Sequence, residues 1–363
     1  MKSTCLVFLF CVLSISGRVY SQNVTFGFKT KQEPIENAIF EIIEVQDGRK
    51  VGESIGKIYT QGTVMSTAQI GDGVAQTLKN YFKTSVKSQN ETKQAILVNV
   101  EQFEIKETKS TNTVAGGELK LKFGFYVKGS FDPIHLMDYE GGMNYRRSIN
   151  RLDLAERVIQ QALDNSLDYF NQWINSQALN NRALAGSVRL IIENKAFESD
   201  QDTVFYDFKR PLKWSDFTNR PKSSSSYNAM IFTSLAMEGR PFVEDGSIIM
   251  PLIIKVYMLP GQSWVRDKND YSLNHEQRHF DVVRVVADRL TNNLQNLDVN
   301  PENYEALVND AYFDAYREMN KLQELYDGQT SHGRKRDIQE RWNRMLDMAL
   351  KGDYTALENV LSE

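Results

Sequence analysis

The amino-acid sequence predicts an α+β protein with two domains, and two observations support this prediction. Segments with alternating apolar residues, typical of half-buried strands, and segments with apolar residues at helical spacing occur in both halves of the chain, and in the second half the strands come first. A polar segment rich in small residues, 175–187, separates the two occurrences. A chain of 363 residues is long enough for two domains of ordinary size, which we place at 22–180 and 186–363.

Residues 1–21 have the layout of a secretory signal peptide. Lys2 precedes an apolar run over 5–13, and small and polar residues follow that run. The run is too short to span a membrane, and cleavage is expected near Ser21 or Gln22. We therefore predict a signal peptide over 1–21 and a secreted or periplasmic product.

The cysteines and the net charge limit the chemistry of the mature chain. Cys5 and Cys11 both lie in the predicted signal peptide, so the mature chain would contain no thiol, and a transition metal would be bound by His, Asp or Glu. The net charge of −4 does not favour nucleic acid or anionic lipid as a partner. No later segment has the apolar length of a transmembrane helix, so we expect no membrane span.

The N-terminal module begins with strands. Residues 40–54 read as a strand, a turn at Asp47-Gly48 and a second strand, and 96–106 reads as another strand. Alternation is clearest over 118–128, where the side chains expected to share one face are Leu119, Leu121, Phe123, Phe125 and Val127. This pattern predicts a half-buried antiparallel sheet with one solvated face.

Two helices complete this module, over 74–87 and 151–175, each with an apolar side. His135 stands alone, and we interpret it as structural rather than as a metal ligand. No motif assigns a function to the module. By analogy with other small α+β modules, we expect it to recruit substrate or to contact a partner in the cell envelope.

The C-terminal module changes from strands to helices. Its predicted strands lie at 187–196, 204–217, 229–237 and 246–259. Its predicted helices lie at 274–297, from Asn300-Pro301 onward, and at 335–349, with the segment "YDGQTSHG" interrupting the last two. Strands followed by helices indicate an α+β arrangement.

Two of the four histidines in the chain lie in the segment "HEQRH". On a helix, His275 and His279 project side by side, so both imidazoles can reach one cation, and Glu276 can contact a water on that cation. Zn²⁺ suits this arrangement, which needs one more protein ligand and leaves a fourth position for water. Bound zinc lowers the pKa of that water to roughly 7, and Glu276 activates it as a base. The motif predicts a zinc metallopeptidase acting on a peptide or protein substrate.

The third ligand must be distant in sequence. Val282 and Val285 stand where an extended form of the motif has glycine and histidine. His332 is the first choice, because it is the one other histidine of this module and is expected in a loop before a helix. Asp327 and Glu324 are the alternatives, and each could instead orient an imidazole.

Two further residues are candidates for contact with substrate. Tyr326 could hydrogen-bond the oxyanion of a tetrahedral intermediate, or it could close a helix against the core. Arg334 could take the same role or bind a substrate carboxylate. No serine-centred nucleophile motif and no glycine-rich phosphate loop appears in the sequence.

The segments "NHEQRHFD" and "YDGQTSHGRKRDIQERW" together resemble a family of predicted secreted zinc-dependent proteases, known mainly as a bacterial domain of unknown function. The family pairs an H-E-x-x-H-F motif with a later Y-D-x-x-T-x-H-G segment. The matching positions are His275, Glu276, His279, Phe280, Tyr326, Asp327, Thr330, His332, Gly333 and Trp342. The resemblance covers about 186–350, and it implies that His275, His279 and His332 bind zinc and that Glu276 is catalytic.

A second hypothesis comes from another class of protein. The chain could be a non-catalytic envelope binding or assembly protein with a structural or vestigial zinc site. A structural site would be closed by four protein ligands, and closure here would need a carboxylate such as Asp327. The presence of Glu276 favours the enzyme.

Overall fold

The structure is a computed structural model, and it describes residues 23–50, 52, 54–61, 64–88, 93–193 and 195–362. The predicted signal peptide lies outside the described residues. Helices and sheets both contribute, which confirms the α+β class. The chain divides into two compact units, Met1–Ser176 and Gln177–Glu363. The division falls at the start of the polar segment that we took as the boundary.

A mixed sheet forms the N-terminal unit. Its strands are β1 (Val24–Phe26), β2 (Phe40–Asp47), β3 (Ser54–Gln61), β4 (Val64–Ile70), β5 (Gln94–Lys109), β6 (Val114–Val127) and β7 (Ile134–Ser148). Within the described residues, neighbouring strands follow the order β1-β4-β3-β5-β6-β7, and β2 pairs with β5. The pairs β3-β4, β5-β6 and β6-β7 are antiparallel, whereas β2 and β3 both run parallel to β5.

Helices α1 (Val74–Ser85) and α2 (Leu152–Gln177) supply aromatic contacts to one face of this sheet. Phe125 of β6 stacks on Phe170 of α2 with ring centroids 4.0 Å apart, and Phe123 meets Phe82 of α1 edge-on. The five side chains of β6 predicted to share a face are all buried, whereas Lys120 is exposed on the other face. The prediction of one buried face is confirmed.

The predicted hairpin at 40–54 is wrong. Both strands exist, but β2 pairs with Gln94–Val100 of β5, and β3 pairs farther along the same strand at Ile105 and Lys106. The chain therefore continues in one direction along β5, which at 16 residues is long enough for both partners. Arg49, which follows β2, connects this segment to both β3 and β5, because its guanidinium donates to the carbonyl oxygens of Ser54 and Phe103.

The C-terminal unit contains a sheet built around one long strand. Its strands are β8 (Ser187–Glu193), β9 (Val204–Phe205), β10 (Ala229–Met230), β11 (Thr233–Glu238), β12 (Phe242–Glu244), β13 (Ser247–Met258) and β14 (Trp264–Val265). β13 pairs with β8, β9, β11 and β12, and all but the β8 pairing are antiparallel. β10 and β14 form a separate antiparallel pair.

Most of the strand predicted at 204–217 is irregular backbone. Only Val204 and Phe205 pair with β13. Pro211 has no backbone N–H for a ladder, and the segment is tied instead by side chains. Arg210 donates to both carboxylate oxygens of Asp216, and the backbone N–H of Leu212 donates to Gln277.

Four helices follow the sheet: α3 (Asp270–Gln295), α4 (Tyr304–Thr330), α5 (Arg336–Ala349) and α6 (Thr355–Ser362). α3 packs against β11, β13, α4 and α5. α4 begins after Asn303 rather than at Pro301, and it extends through most of the segment that we expected to interrupt the helices. Asp327 is therefore helical. Within the described residues, no helix is both long and apolar enough to cross a membrane.

Candidate metal centre

The two histidines of "HEQRH" lie in the first turns of α3 and point to one place. The side chain of Asn269 caps the helix by accepting from the N–H of Ser272, which fixes where the first turn begins. His275 and His279 follow, with ring centroids 4.9 Å apart, and His275 is buried. The Nε2 atoms of both rings face the carboxylate of Asp327.

Asp327 completes a group of three possible ligands from the last turns of α4. Its Oδ1 lies 3.3 Å from His275 Nε2 and 3.1 Å from His279 Nε2. Both spacings are short enough for the three residues to share one cation. One ligand atom from each residue lies within 4.8 Å of the others, so this group could hold a metal ion.

The side chains behind the imidazoles leave both Nε2 atoms free to bind a metal. His275 Nδ1 lies 2.9 Å from Gln339 Oε1, and the amide nitrogen of Gln339 donates to Tyr326 and to Asn343. Since that amide nitrogen is already a donor, Oε1 must accept, and His275 carries its proton on Nδ1. The unprotonated Nε2 then directs its lone pair at the proposed metal position.

Gln323 presents its amide oxygen to the Nδ1 of His279, as Gln339 does for His275. Its amide nitrogen donates to the carbonyl oxygen of His279 at 2.9 Å and to Thr233, and its oxygen bonds to His279 Nδ1. Both imidazoles are therefore fixed in orientation and in tautomer by neutral glutamine side chains. Such supporting bonds are typical of histidines that ligate a metal.

Contacts between Asp327 and the two imidazoles shift the pKa values of this cluster. The pKa of the Asp327 carboxyl is well below its usual range; burial opposes this shift, but the bonds that His275 and His279 make to it when their rings are protonated on both nitrogens outweigh burial. The pKa of His279 is raised, again against burial, by its contact with Asp327. The cluster thus pairs one anionic carboxylate with two imidazoles.

Glu276 stands beside this group on the same helix. Its side chain is 5% exposed, and burial raises the pKa of its carboxyl above the ordinary value, in opposition to His279 and His275. The backbone of Ile231 contributes a hydrogen bond to the carboxyl. The group is thus a buried carboxyl held at a fixed position next to three possible metal ligands.

A cleft of about 450 Å³ opens on the cluster. Residues 226–231 line it, together with Tyr271 and Ser272 of α3 and the turn after α4, and it includes His275, Glu276, His279 and Asp327. The candidate site is therefore accessible from solvent, as a catalytic site must be.

His332 lies beside this group but not in it. Its side chain is 41% exposed, and its Nδ1 lies 3.3 Å from Asp327 Oδ2, on the oxygen that does not face the other two histidines. The group that could hold a metal ion contains Asp327, which sequence reasoning kept as an alternative, and His332 as the third ligand stays a prediction. Glu324 is exposed on α4 and contributes nothing to the group.

Tyr326 does not occupy the position that an oxyanion donor requires. It is fully buried, and its ring stacks on His275 with centroids 4.9 Å apart. Its hydroxyl donates to the carbonyl oxygen of His275 at 3.2 Å and does not line the cleft. A catalytic role for Tyr326 stays a prediction; in the structure the residue packs against His275 and bonds to its backbone.

Sequence reasoning missed three residues of the site: Gln323, Gln339 and Tyr227. Gln323 precedes Asp327 by four positions, so helical spacing could have placed it on the same side of α4. Gln339 and Tyr227 come from separate segments, and no spacing connects them with the motif. Tyr227 lines the cleft, and its hydroxyl lies 3.3 Å from His332 Nε2.

Comparisons with known proteins add little to this picture. No protein family and no curated protein matches the chain. A crystal structure of a DUF330 protein from Xanthomonas campestris is similar over 43% of this chain and 97% of its own, with 10% identity and a TM-score of 0.28. A minor lipoprotein from Acinetobacter baumannii is similar over 28% of this chain and 80% of its own, with 12% identity and a TM-score of 0.19. At these TM-scores neither likeness bears on fold or function.

Proposed function

We propose that the C-terminal unit is a zinc-dependent peptidase of the kind that the family resemblance implies. One observation carries the proposal: two imidazole Nε2 atoms and one carboxylate oxygen converge beside a buried glutamate at the base of an open cleft. His275, His279 and Asp327 would hold the ion, and His332 would not. When bound, zinc acts as a Lewis acid and lowers the pKa of a water to roughly 7.

Glu276 would move the proton in this reaction. Burial raises the pKa of its carboxyl above the ordinary value, which makes the carboxylate a stronger base than an exposed glutamate. The attacking water gives a proton to Glu276 as its oxygen bonds to the carbonyl carbon of the substrate. The C–N bond then breaks, and Glu276 returns the proton to the amine nitrogen, so that atoms and charge balance.

The wall of the cleft supports a peptide as the substrate. β10 pairs with β14 in antiparallel register, and the carbonyl oxygen of Asn228 accepts from the N–H of Arg266. In such a ladder, the backbone N–H and C=O groups of successive residues point alternately toward and away from the partner strand. Since Asn228 bonds to Arg266, which follows β14, the N–H and C=O of Ala229 are directed away from β14. Ala229 lines the cleft, so an extended peptide could add to this edge by backbone hydrogen bonds.

One observation favours the alternative of a non-catalytic envelope protein with structural zinc. His332 lies within 3.3 Å of Asp327 and could close the site as a fourth ligand. In either case, the predicted signal peptide supports a secreted or periplasmic location, and the N-terminal unit would serve to recruit substrate or an envelope partner.

Zinc content and a peptide-library digest test the proposal together. Purified protein should contain close to one zinc per chain and should cleave members of a diverse peptide library. Glu276→Gln should retain zinc and lose cleavage, whereas Glu324→Gln, a matched change on the exposed side of α4, should retain both. Zinc binding without any cleavage by wild-type protein would favour the structural alternative. Absence of zinc would reject both.

A further inference from the structure

We infer that Tyr227 contacts the substrate as a hydrogen-bond donor to the anion formed at the scissile carbonyl, and that His332 positions it rather than binding the metal. This inference rests on the proposed function. The observation behind it is a chain of contacts from the candidate ligands to the cleft. Asp327 Oδ2 lies 3.3 Å from His332 Nδ1, and His332 Nε2 lies 3.3 Å from the hydroxyl of Tyr227.

The turn that carries His332 is strained and firmly held. Ser331, His332 and Gly333 have φ values of 51°, 54° and 74°, so three successive residues are left-handed. Such backbone is uncommon for residues other than glycine and persists only where surrounding contacts fix it. Here the N–H of His332 donates to the carbonyl oxygen of Asp327 at 2.8 Å. The hydroxyl of Tyr271 donates to the carbonyl oxygen of Gly333 at 2.6 Å.

This turn directs His332 at the outer oxygen of Asp327. The inner oxygen, Oδ1, faces both Nε2 atoms of the helix α3 pair, so the metal position lies on that side. His332 approaches through Nδ1, and with the proton on Nδ1 it donates to the carboxylate and leaves Nε2 as an acceptor. This is the arrangement of a side chain that orients a ligand, which agrees with the absence of His332 from the ligand group.

Tyr227 brings a hydroxyl to the cleft, whereas the hydroxyl of Tyr271 is already bonded to the backbone of Gly333. Its ring packs on His332 with centroids 4.4 Å apart, and its side chain remains 41% exposed. With His332 protonated on Nδ1, the Tyr227 hydroxyl is the donor in their contact, and a rotation about the C–O bond would direct its proton to an oxygen of a bound substrate. The function that we first assigned to Tyr326 therefore falls to Tyr227, which lines the cleft where Tyr326 does not. A donor placed at the developing oxyanion stabilises it in the transition state.

The test measures zinc and anion binding separately. Zinc affinity is measured by competition with a chromophoric chelator, and inorganic phosphate, a tetrahedral oxyanion, is titrated into the zinc-loaded full-length protein. Tyr227→Phe should leave zinc affinity unchanged and weaken phosphate binding roughly tenfold, as expected for loss of one hydrogen bond to a charged group. His332→Asn should keep zinc to within a few-fold and weaken phosphate binding by a similar factor. Tyr316→Phe is the matched control, since Tyr316 is also 41% exposed but lies outside the cleft.

Four outcomes would overturn the inference. Loss of zinc in His332→Asn would make that residue a ligand. Unchanged phosphate affinity in Tyr227→Phe, or no phosphate binding at millimolar concentration by zinc-loaded wild type, would remove the donor role while leaving the peptidase proposal to the library digest. Wild-type protein without zinc would overturn this inference and the proposed function together.

Discussion

Gln339 and Gln323 illustrate how individual residues prepare the site. Each presents an amide oxygen to the Nδ1 of one imidazole while its amide nitrogen is occupied elsewhere. The two side chains thereby select the tautomer that leaves Nε2 free. A metal site depends on such contacts as well as on its direct ligands.

Replacing Gln339 should weaken zinc binding without removing a ligand. We expect Gln339→Ala to lower zinc affinity roughly 10-fold to 100-fold, because the His275 ring loses its orienting acceptor. Gln339→Glu should restore most of the loss, since a carboxylate oxygen accepts the same proton. Chelator competition measures both variants. Equal affinities for wild type and Gln339→Ala would show that the hydrogen bond does not matter for binding.

Asp327 gives a direct test of the third ligand. Asp327→Asn removes the anionic oxygen that both imidazoles face, and we expect stoichiometric zinc binding to be lost at micromolar metal. Glu324→Gln removes one negative charge from an exposed position nearby on α4 and should leave zinc content unchanged. Metal analysis after gel filtration distinguishes the two variants. Retention of zinc by Asp327→Asn would exclude this ligand set.

Sequence reasoning found the part of the site that depends on local spacing. His275, Glu276 and His279 lie on one helix, so a fixed period determines their relative positions. The choice between His332 and Asp327 depended on where α4 ends, and helix boundaries are poorly specified by the pattern of residues. The catalytic role of Tyr227 is inferred from its contacts in the structure, and no sequence motif suggested it.

At the scale of elements, the turn between α4 and α5 is a sensitive point. Gly333 has a φ of 74°, and a Cβ there would lie 3.2 Å from Cγ and Nδ1 of His275. Gly333→Ala should therefore destabilise the protein by about 1–2 kcal/mol from backbone strain alone, and it should also displace a ligand.

Gly328→Ala is the matched control for that substitution. Gly328 lies within α4, and a Cβ there would meet nothing within 4 Å. Alanine should stabilise the helix at this position by roughly 0.5–1 kcal/mol. Denaturant unfolding of both variants provides the comparison. The strain argument fails if Gly333→Ala unfolds at the same denaturant concentration as wild type.

Strands and helices were predicted well where the period of apolar residues within a single element was clear. The alternation of β6 and the buried stripe of α4 both follow from the period of the apolar residues. Pairing between strands was less accessible: a turn-like Asp47-Gly48 suggested a reversal, but the length of β5 lets β2 and β3 lie end to end on it. Sequence patterns report a strand's exposure more directly than its partner.

At the scale of the whole molecule, every residue of the proposed site belongs to the C-terminal unit, Gln177–Glu363. This unit has its own core, built from α3, α4, α5 and β13. We expect residues 177–363 expressed alone to fold cooperatively and to bind zinc with the affinity of the full chain. Circular dichroism melts and chelator competition measure both properties. A fragment that folds but binds zinc far more weakly would mean that the N-terminal unit contributes to the site.

The position of the candidate ligands along α3 and α4 has a mechanical consequence. These helices have 26 and 27 residues and are each about 40 Å long, and residues 296–303 connect them at one end. The candidate ligands lie near the other end, where packing and the hydrogen bonds from Gln323 and Tyr326 to the backbone of α3 join the pair. A metal bound there would cross-link the two helices at the end opposite their connecting loop. Its removal would make that end the first part of the helix pair to unfold.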